Sequence, residues 1–184
     1  MEQEIKLVKI TKDNLELACS IQNKIFPKEN ARANYLEQIT KAPFRKECNY
    51  CIVYLGDIPI GVGGFYSYKI YPNDAWLGWY GILEEYRHKG YGTLTLEKTI
   101  ELAKAKNYHN FRLYTDEYAK EAHKIYEKKQ MLKEEYNRED DQDEYFIAKI
   151  YIYSLSLTGD KVKLWDNKFL GLKEQGEKEN MFNI

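Results

Sequence analysis

Hydrophobic positions along this chain change period several times, and each change marks an element. Residues 5–10 alternate as a half-buried strand does. Leu17, Ala18, Ile21 and Ile25 then recur at helical spacing, with Thr11 placed to cap that helix and Pro27 to stop it. A more polar helix is predicted from about Asn30 to Thr40. Tyr50 to Leu55 and Ile58 to Tyr68 are strand-like runs joined at Gly56-Asp57, the composition of a tight hairpin. Pro72-Asn73-Asp74 is turn chemistry, and Ala75 to Leu83 reads as the next strand. From Gly92 to Lys106 the pattern is helical, with Leu96, Ile100 and Ala103 on one face. Phe111 to Tyr114 is a short strand. Tyr118, Ala119, Ala122, Ile125 and Tyr126 then form a narrow apolar helical face. Met131 to Tyr136 and Tyr145 to Leu155 read as two closing strands around the acidic turn Glu139-Asp140-Asp141. This order predicts an α/β chain of the α+β type, with a mainly antiparallel front half.

Beyond Leu157 the character changes. Thr158-Gly159-Asp160 has turn composition and predicts one further strand, Lys161 to Trp165, whereas Lys173 to Asn180 is polar enough for disorder. We therefore read residues 1–157 as the working domain and 158–184 as a C-terminal extension of unassigned role. Length and 43% hydrophobic content suit a folded core. A net charge of −1, without a basic helix, argues against nucleic acid or an anionic membrane as partner. The apolar runs are too short to span a bilayer, and the charged start, Met1 to Lys6, lacks a signal-peptide core. Three cysteines are no disulfide framework, so cytoplasmic residence is expected. Cys48 and Cys51 form a lone C-x-x-C without a second pair, and His88, His109 and His123 lack ligand spacing; no metal site is expected.

The most specific chemistry lies in Arg87-His88-Lys89-Gly90-Tyr91-Gly92-Thr93, where an apolar run hands over to a helix. Glycines at such a turn let the backbone approach a ligand. The helix beginning there offers unpaired N–H groups and a positive dipole end, so the turn suits a phosphate. No Gly-x-x-x-x-Gly-Lys-Ser/Thr is present, which argues against an ordinary nucleoside triphosphate loop. Gly61, Gly63 and Gly64 imitate half a dinucleotide loop, but strand-like Phe65 to Tyr68 follows where a helix is required, so a bulge or close backbone approach is the better reading. A turn arriving after an antiparallel hairpin, in mid-chain, fits the pyrophosphate of coenzyme A.

The run Trp79-Tyr80-Gly81-Ile82-Leu83-Glu84-Glu85-Tyr86-Arg87-His88-Lys89-Gly90-Tyr91-Gly92 resembles the acetyl-coenzyme A signature of the GNAT superfamily of N-acetyltransferases. Leu113 to Asp116 and Ala122 to Lys128 are similar to the strand and helix that follow it in that family. Leu77 to Met131 carry the resemblance directly, and strand order extends it over residues 5–155. It implies a mixed, mostly antiparallel central sheet flanked by helices and splayed beside residues 77–83. It further implies that backbone groups of Tyr80 and Ile82 bond the pantetheine arm. By the same resemblance, the N–H groups of Arg87, His88, Lys89, Gly90, Tyr91, Gly92 and Thr93 would hold the pyrophosphate, with positive charge from Arg87 and Lys89.

The implied activity is transfer of acetyl from acetyl-coenzyme A to a primary amine, on a small molecule or a protein, by direct attack on the thioester. Tyr126 occupies the family's general-acid position, and a phenol can protonate a leaving thiolate. Glu84, Glu85 and Asp116 are the candidate bases; strand alternation would turn Glu84 and Glu85 to opposite faces. Phe65, Tyr66, Tyr68, Tyr71, Trp76 and Trp79 could hold an ammonium group over ring faces, or build core. Ala119 stands where the family often has Asn, Gln130-Met131 where it has Gly-Phe, and Glu84 where Pro is common. These departures keep open a second reading, a coenzyme A-binding or sensing module without turnover. Dimers are common among similar proteins, so a homodimer is a possible assembly.

Overall fold

The computed structural model describes residues 4–136 and 148–165. The acidic turn Glu139-Asp140-Asp141 and the polar stretch Lys173 to Asn180 lie outside the described residues. The chain divides into two compact units, Met1–Tyr108 and His109–Ile184. The fold is mixed α/β, and its strands are mostly antiparallel with flanking helices.

In the first unit, β1 (Ile5–Lys9) leads into α1 (Leu15–Ile25) and α2 (Ala31–Ile39). The start of α1 departs from expectation. Thr11 does not cap it: the Asn14 side chain accepts from the Thr11 N–H (2.8 Å), and the Thr11 hydroxyl accepts from the Asp13 N–H (3.3 Å). This local turn delays the helix to Leu15 and rotates its buried stripe to Leu15, Ala18, Cys19, Ile21 and Gln22, leaving Leu17 exposed. Asn30 caps α2 through its side chain, which accepts from the Ala33 N–H at 3.1 Å.

Two eleven-residue strands, β2 (Arg45–Leu55) and β3 (Ile58–Tyr68), form the hairpin read at Gly56-Asp57, where Gly56 has φ +60°. The lone C-x-x-C lies on β2. A spacing of three puts Cys48 and Cys51 on opposite faces, and both are buried free thiols. Burial pushes the Cys51 thiol up to about 12, which suits packing and not reactivity. The Gly61-Gly63-Gly64 run is indeed a place of close approach. A Cβ on Gly63 would sit 2.9 Å from Thr95, and one on Gly64, at φ +108°, would strike the Asn49 carbonyl.

The expected strand 75–83 is divided. β4 (Tyr71–Leu77) and β5 (Gly81–Ile82) both pair with β3, but the register runs Phe65↔Leu77 and then Val62↔Gly81. Four steps on one strand oppose three on the other, so one extra residue is accommodated between Gly78 and Gly81. That is a β-bulge at Trp79-Tyr80. After a 3₁₀ turn at Glu84–Tyr86 comes α3 (Tyr91–Ala105). Gly81, cross-strand from Val62, faces Ile25 of α1, whereas Gly63 faces Thr95 of α3. The two helices thus cover opposite faces of β3, which explains its almost unbroken burial.

In the second unit, β8 (Ile150–Ser156) is central, flanked antiparallel by β6 (Asn110–Asp116) and β7 (Leu132–Glu135). α4 (Lys120–Lys128) joins β6 to β7. Its buried residues are His123 and Tyr126, and Tyr118 precedes the helix with 73% exposure, so the apolar face read from the sequence is shifted toward His123. Lys161 to Trp165 is not a strand. It is irregular chain whose last residue is nonetheless buried, with the Trp165 N–H on Glu134 Oε2 at 3.2 Å and the Arg112 guanidinium 5.5 Å from its ring.

Candidate active site

The turn 87–93, expected from the sequence to hold a phosphate, is clamped at both ends. Tyr86 before it and Tyr91 after it pack against a cluster of Ile5, Val53, Leu55, Ile60 and Ile82. Between them His88 (φ +60°) and Gly90 (φ +84°) take left-handed backbone conformations. Glycine does so readily, whereas histidine adopts it at some cost in strain. Gly90 is the N-cap of α3, and no side chain bonds the helix start. The first N–H of α3 to find an intrahelical acceptor is that of Leu94, on the Gly90 carbonyl at 3.1 Å. The amides of Tyr91, Gly92 and Thr93 therefore precede the hydrogen-bonded ladder and point toward the turn. A Cβ built on Gly90 meets nothing within 4 Å, so the space above the turn is open. These features fit an anion.

The side chains around the turn have inward as well as outward duties. Arg87 Nε donates to the Ile82 carbonyl at 2.9 Å, fixing the guanidinium over the end of β5 while the residue stays exposed. Lys89 Nζ donates to the Glu85 carbonyl at 3.0 Å and lies 5.5 Å from the Tyr86 ring centroid. Tyr80, in the bulge, donates its hydroxyl to the Gly92 carbonyl at 2.7 Å, and burial raises its phenol above the usual range. That bond ties the bulge to the first turn of α3. Tyr80, Ile82, Arg87, Gly90, Tyr91 and Gly92 are thus one connected assembly.

Glu84 and Glu85 sit differently from the strand alternation expected. Both belong to the 3₁₀ turn, not to a strand, and both are exposed. The strand has already ended at Ile82, and the Leu83 N–H closes it on the Ile60 carbonyl at 2.8 Å. Side-chain alternation along a strand therefore does not govern Glu84 and Glu85.

The aromatic set before the signature divides by face. Trp79 meets Phe26 at 5.4 Å between centroids, and Phe65 meets Tyr108 edge-on at 5.3 Å. Tyr66 and Tyr68 do hold a cation over their faces, but it is the protein's own. The Arg45 guanidinium lies 4.2 and 4.3 Å from their centroids and pairs with Glu37 at 2.8 Å. The sequence signal for this was Arg45 at the head of a strand opposite Tyr68, legible only once the hairpin register is known.

In the second unit Tyr126 is 4% exposed, its ring 5.1 Å from that of Tyr153. His123, three residues earlier on the same helix, is bonded at both ring nitrogens: Nε2 to the Asp116 carbonyl (2.7 Å) and Nδ1 to the Tyr153 hydroxyl (2.6 Å). The Asp116 carboxylate accepts from the N–H groups of Tyr118 (2.8 Å) and Ala119 (3.1 Å), so it supports the start of α4. Ala119 is the N-cap and brings no capping side chain. The His123–Tyr153 pair was missed from sequence. Its one signal was a histidine on the helix stripe that carries Tyr126.

Among the described residues no three His, Cys, Asp or Glu side chains converge to hold a metal ion, and no helix is long and apolar enough to cross a membrane.

Comparison with known proteins bears on the site at family level. The profile described as the acetyltransferase (GNAT) family matches residues 15–130. Comparison with curated protein sequences gives no match. Among solved structures, the ribosomal-protein-S18-alanine N-acetyltransferase from Escherichia coli is similar with a TM-score of 0.66 at 12% identity, over 88% of this chain and 99% of that one. Arabidopsis thaliana Naa50, in complex with the bisubstrate analogue CoA-Ac-MVNAL, gives 0.63 at 19% identity, over 83% and 98%. A spermidine N-acetyltransferase chimera from Vibrio cholerae and hSSAT gives 0.66 at 14%, over 83% and 95%. At these identities the structures speak for the fold, and the profile, which spans more than half the chain, speaks for the family. With that profile over residues 15–130 and its α/β architecture, the chain belongs to the acetyltransferase (GNAT) family.

Proposed function

We propose that this chain is an N-acetyltransferase that moves acetyl from acetyl-coenzyme A to a primary amine of a small molecule or protein. The observation that carries the reading is the turn 87–93: an uncapped helix start, left-handed backbone at His88 and Gly90, and exposed Arg87 and Lys89. Amides of that turn take the pyrophosphate, and the backbone of Tyr80 and Ile82 takes the pantetheine amides. The bound cosubstrate supplies an acyl thioester. Tyr126 donates a proton to the departing sulfur, and Glu84 or Glu85 receives one from the attacking amine, directly or through water. The exposure of both glutamates supports a route through water. The three buried free thiols support a reducing, cytoplasmic setting.

Calorimetric titration of acetyl-coenzyme A tests the binding half. Saturable binding is expected for the wild type and for Tyr126→Phe. Gly90→Glu should abolish it, since it places a carboxylate facing the phosphates at a left-handed φ of +84°. Circular dichroism establishes that each variant is folded. Release of free thiol with a panel of a polyamine, free amino acids and peptides of defined N-terminus tests the chemical half. Tyr126→Phe should lower kcat about tenfold or more with little change in the KM for acetyl-coenzyme A. Ala119, standing where the family often has Asn, favours the second reading of a coenzyme A-binding module. Saturable binding without thiol release across the panel would establish that reading instead.

A further inference from the structure

The polar chain behind Tyr126 has one hydrogen fewer than it has places to put it. Nε2 of His123 faces the Asp116 carbonyl, which can only accept, so Nε2 carries a hydrogen in either protonation state. In the neutral ring, Nδ1 is an acceptor and the Tyr153 hydroxyl donates to it at 2.6 Å. The same hydroxyl lies 3.4 Å from Glu127 Oε1, a second acceptor for its single hydrogen. When His123 takes a second proton, Nδ1–H must donate. The Tyr153 hydrogen then has to turn to Glu127, which also holds Lys133 Nζ at 3.2 Å. One bond reverses and a second is taken up for one added proton, and the Tyr153 ring on which they act packs against Tyr126.

We propose that His123 and Tyr153 are positioning residues for Tyr126: while the imidazole is neutral they hold the phenol in its working orientation, and protonation of His123 releases it. This rests on the reading of Tyr126 as the proton donor to the departing thiol. Among the described residues, the groups facing His123 come from four elements. Tyr151 presents its ring edge-on at 5.5 Å, and Tyr153 lies beside it on β8. From β7, Lys133 sits 4.5 Å from the Tyr151 centroid and 5.7 Å from that of Tyr153. Glu127 comes from the same helix, and Asp116 from the end of β6. Lys133 holds the Glu127 carboxyl below the usual carboxylate range, so Glu127 is a ready acceptor when Tyr153 turns.

Two measurements test the pair, and one does not depend on turnover. In ¹⁵N and ¹³C NMR, neutral His123 is expected as the Nε2–H tautomer. The Tyr126 ring signals should move with pH at the His123 midpoint, and this coupling should vanish in Tyr153→Phe, which keeps the ring and loses only the hydroxyl. A neutral Nδ1–H tautomer, or Tyr126 signals indifferent to the His123 titration, would overturn the proposal. In the thiol-release assay, His123→Gln should lower kcat about five- to tenfold with the KM for acetyl-coenzyme A unchanged, and should cost nothing further in a Tyr126→Phe background. Losses that multiply would mean a merely structural histidine. If no amine in the panel is acetylated, the acetyl-transfer reading fails, and the NMR coupling still decides whether the pair controls Tyr126.

Discussion

Each unit of this protein contains a tyrosine hydroxyl set between a carboxylate and a second polar group, yet the two arrangements behave differently. In the first unit, Tyr108 lies 2.7 Å from Glu47 Oε1 and 2.7 Å from the Ser67 hydroxyl. An ionised carboxylate only accepts, so Tyr108 donates to Glu47 and Ser67 donates to Tyr108. Asn49 (2.7 Å) and Lys106 (2.9 Å) complete the carboxylate's shell, and each hydrogen has one place to go. In the second unit, Tyr153 stands between Glu127 and a histidine nitrogen that accepts in one protonation state and donates in the other. The components are nearly the same. One partner that can reverse its role turns a lock into a switch.

The largest expected effect is on the lock. Glu47→Ala strands the Tyr108 hydroxyl and the Asn49 amide, and should cost about 2 kcal/mol in urea unfolding. Tyr153→Phe should cost about 1 kcal/mol and show itself in kcat instead. Equal stability losses for the two variants would erase the distinction between the networks.

A second contrast is in acid. Burial opposes ionisation of Glu47, but the bonds from Tyr108, Lys106 and Asn49 outweigh it and hold the carboxyl below its usual range. A carboxyl depressed in the folded state contributes stability above its unfolded pKa, and that contribution is lost as pH falls through the folded value. Stability should therefore decline below about pH 4.5 in the wild type, and less steeply in Glu47→Gln. Parallel acid limbs would remove Glu47 from the explanation.

The smallest effect belongs to Glu127. Replacing it with Leu removes the second acceptor for Tyr153 and an anion near the imidazole, at an exposed position where folding stability should scarcely change. The Tyr153 hydrogen then has no acceptor other than His123 Nδ1, so the pH-dependent movement of the Tyr126 ring signals should weaken in NMR. Unchanged coupling would mean that Glu127 is not the acceptor to which Tyr153 turns.

Much of this was legible along the chain. Gly56-Asp57 announced the hairpin, Pro27 followed the end of α1, and Gly90 stood where α3 begins, because each acts through its own backbone dihedrals. The extra residue at Trp79-Tyr80 was not legible. A bulge is a relation between two registers, and residues 75–83 taken singly read as one strand. Thr11 and Asn14 both suit a cap, and a local turn decided between them. The aromatic run before the signature told that rings would gather. It did not tell that Tyr66 and Tyr68 would close on Arg45, which meets them across the β2–β3 register.

By itself, then, the sequence determined what short-range physics controls: the order of elements, the hairpin, and the glycine turn at which α3 begins. Tertiary structure alone decided which polar side chains meet. Asp116, His123, Glu127, Lys133 and Tyr153 come from four elements, and their hydrogen-bond directions depend on packing that brings a helix face over a strand. Backbone propensity acts over a few residues, whereas the protonation-dependent choice of an acceptor exists only where distant groups are held within a bond's length of one another.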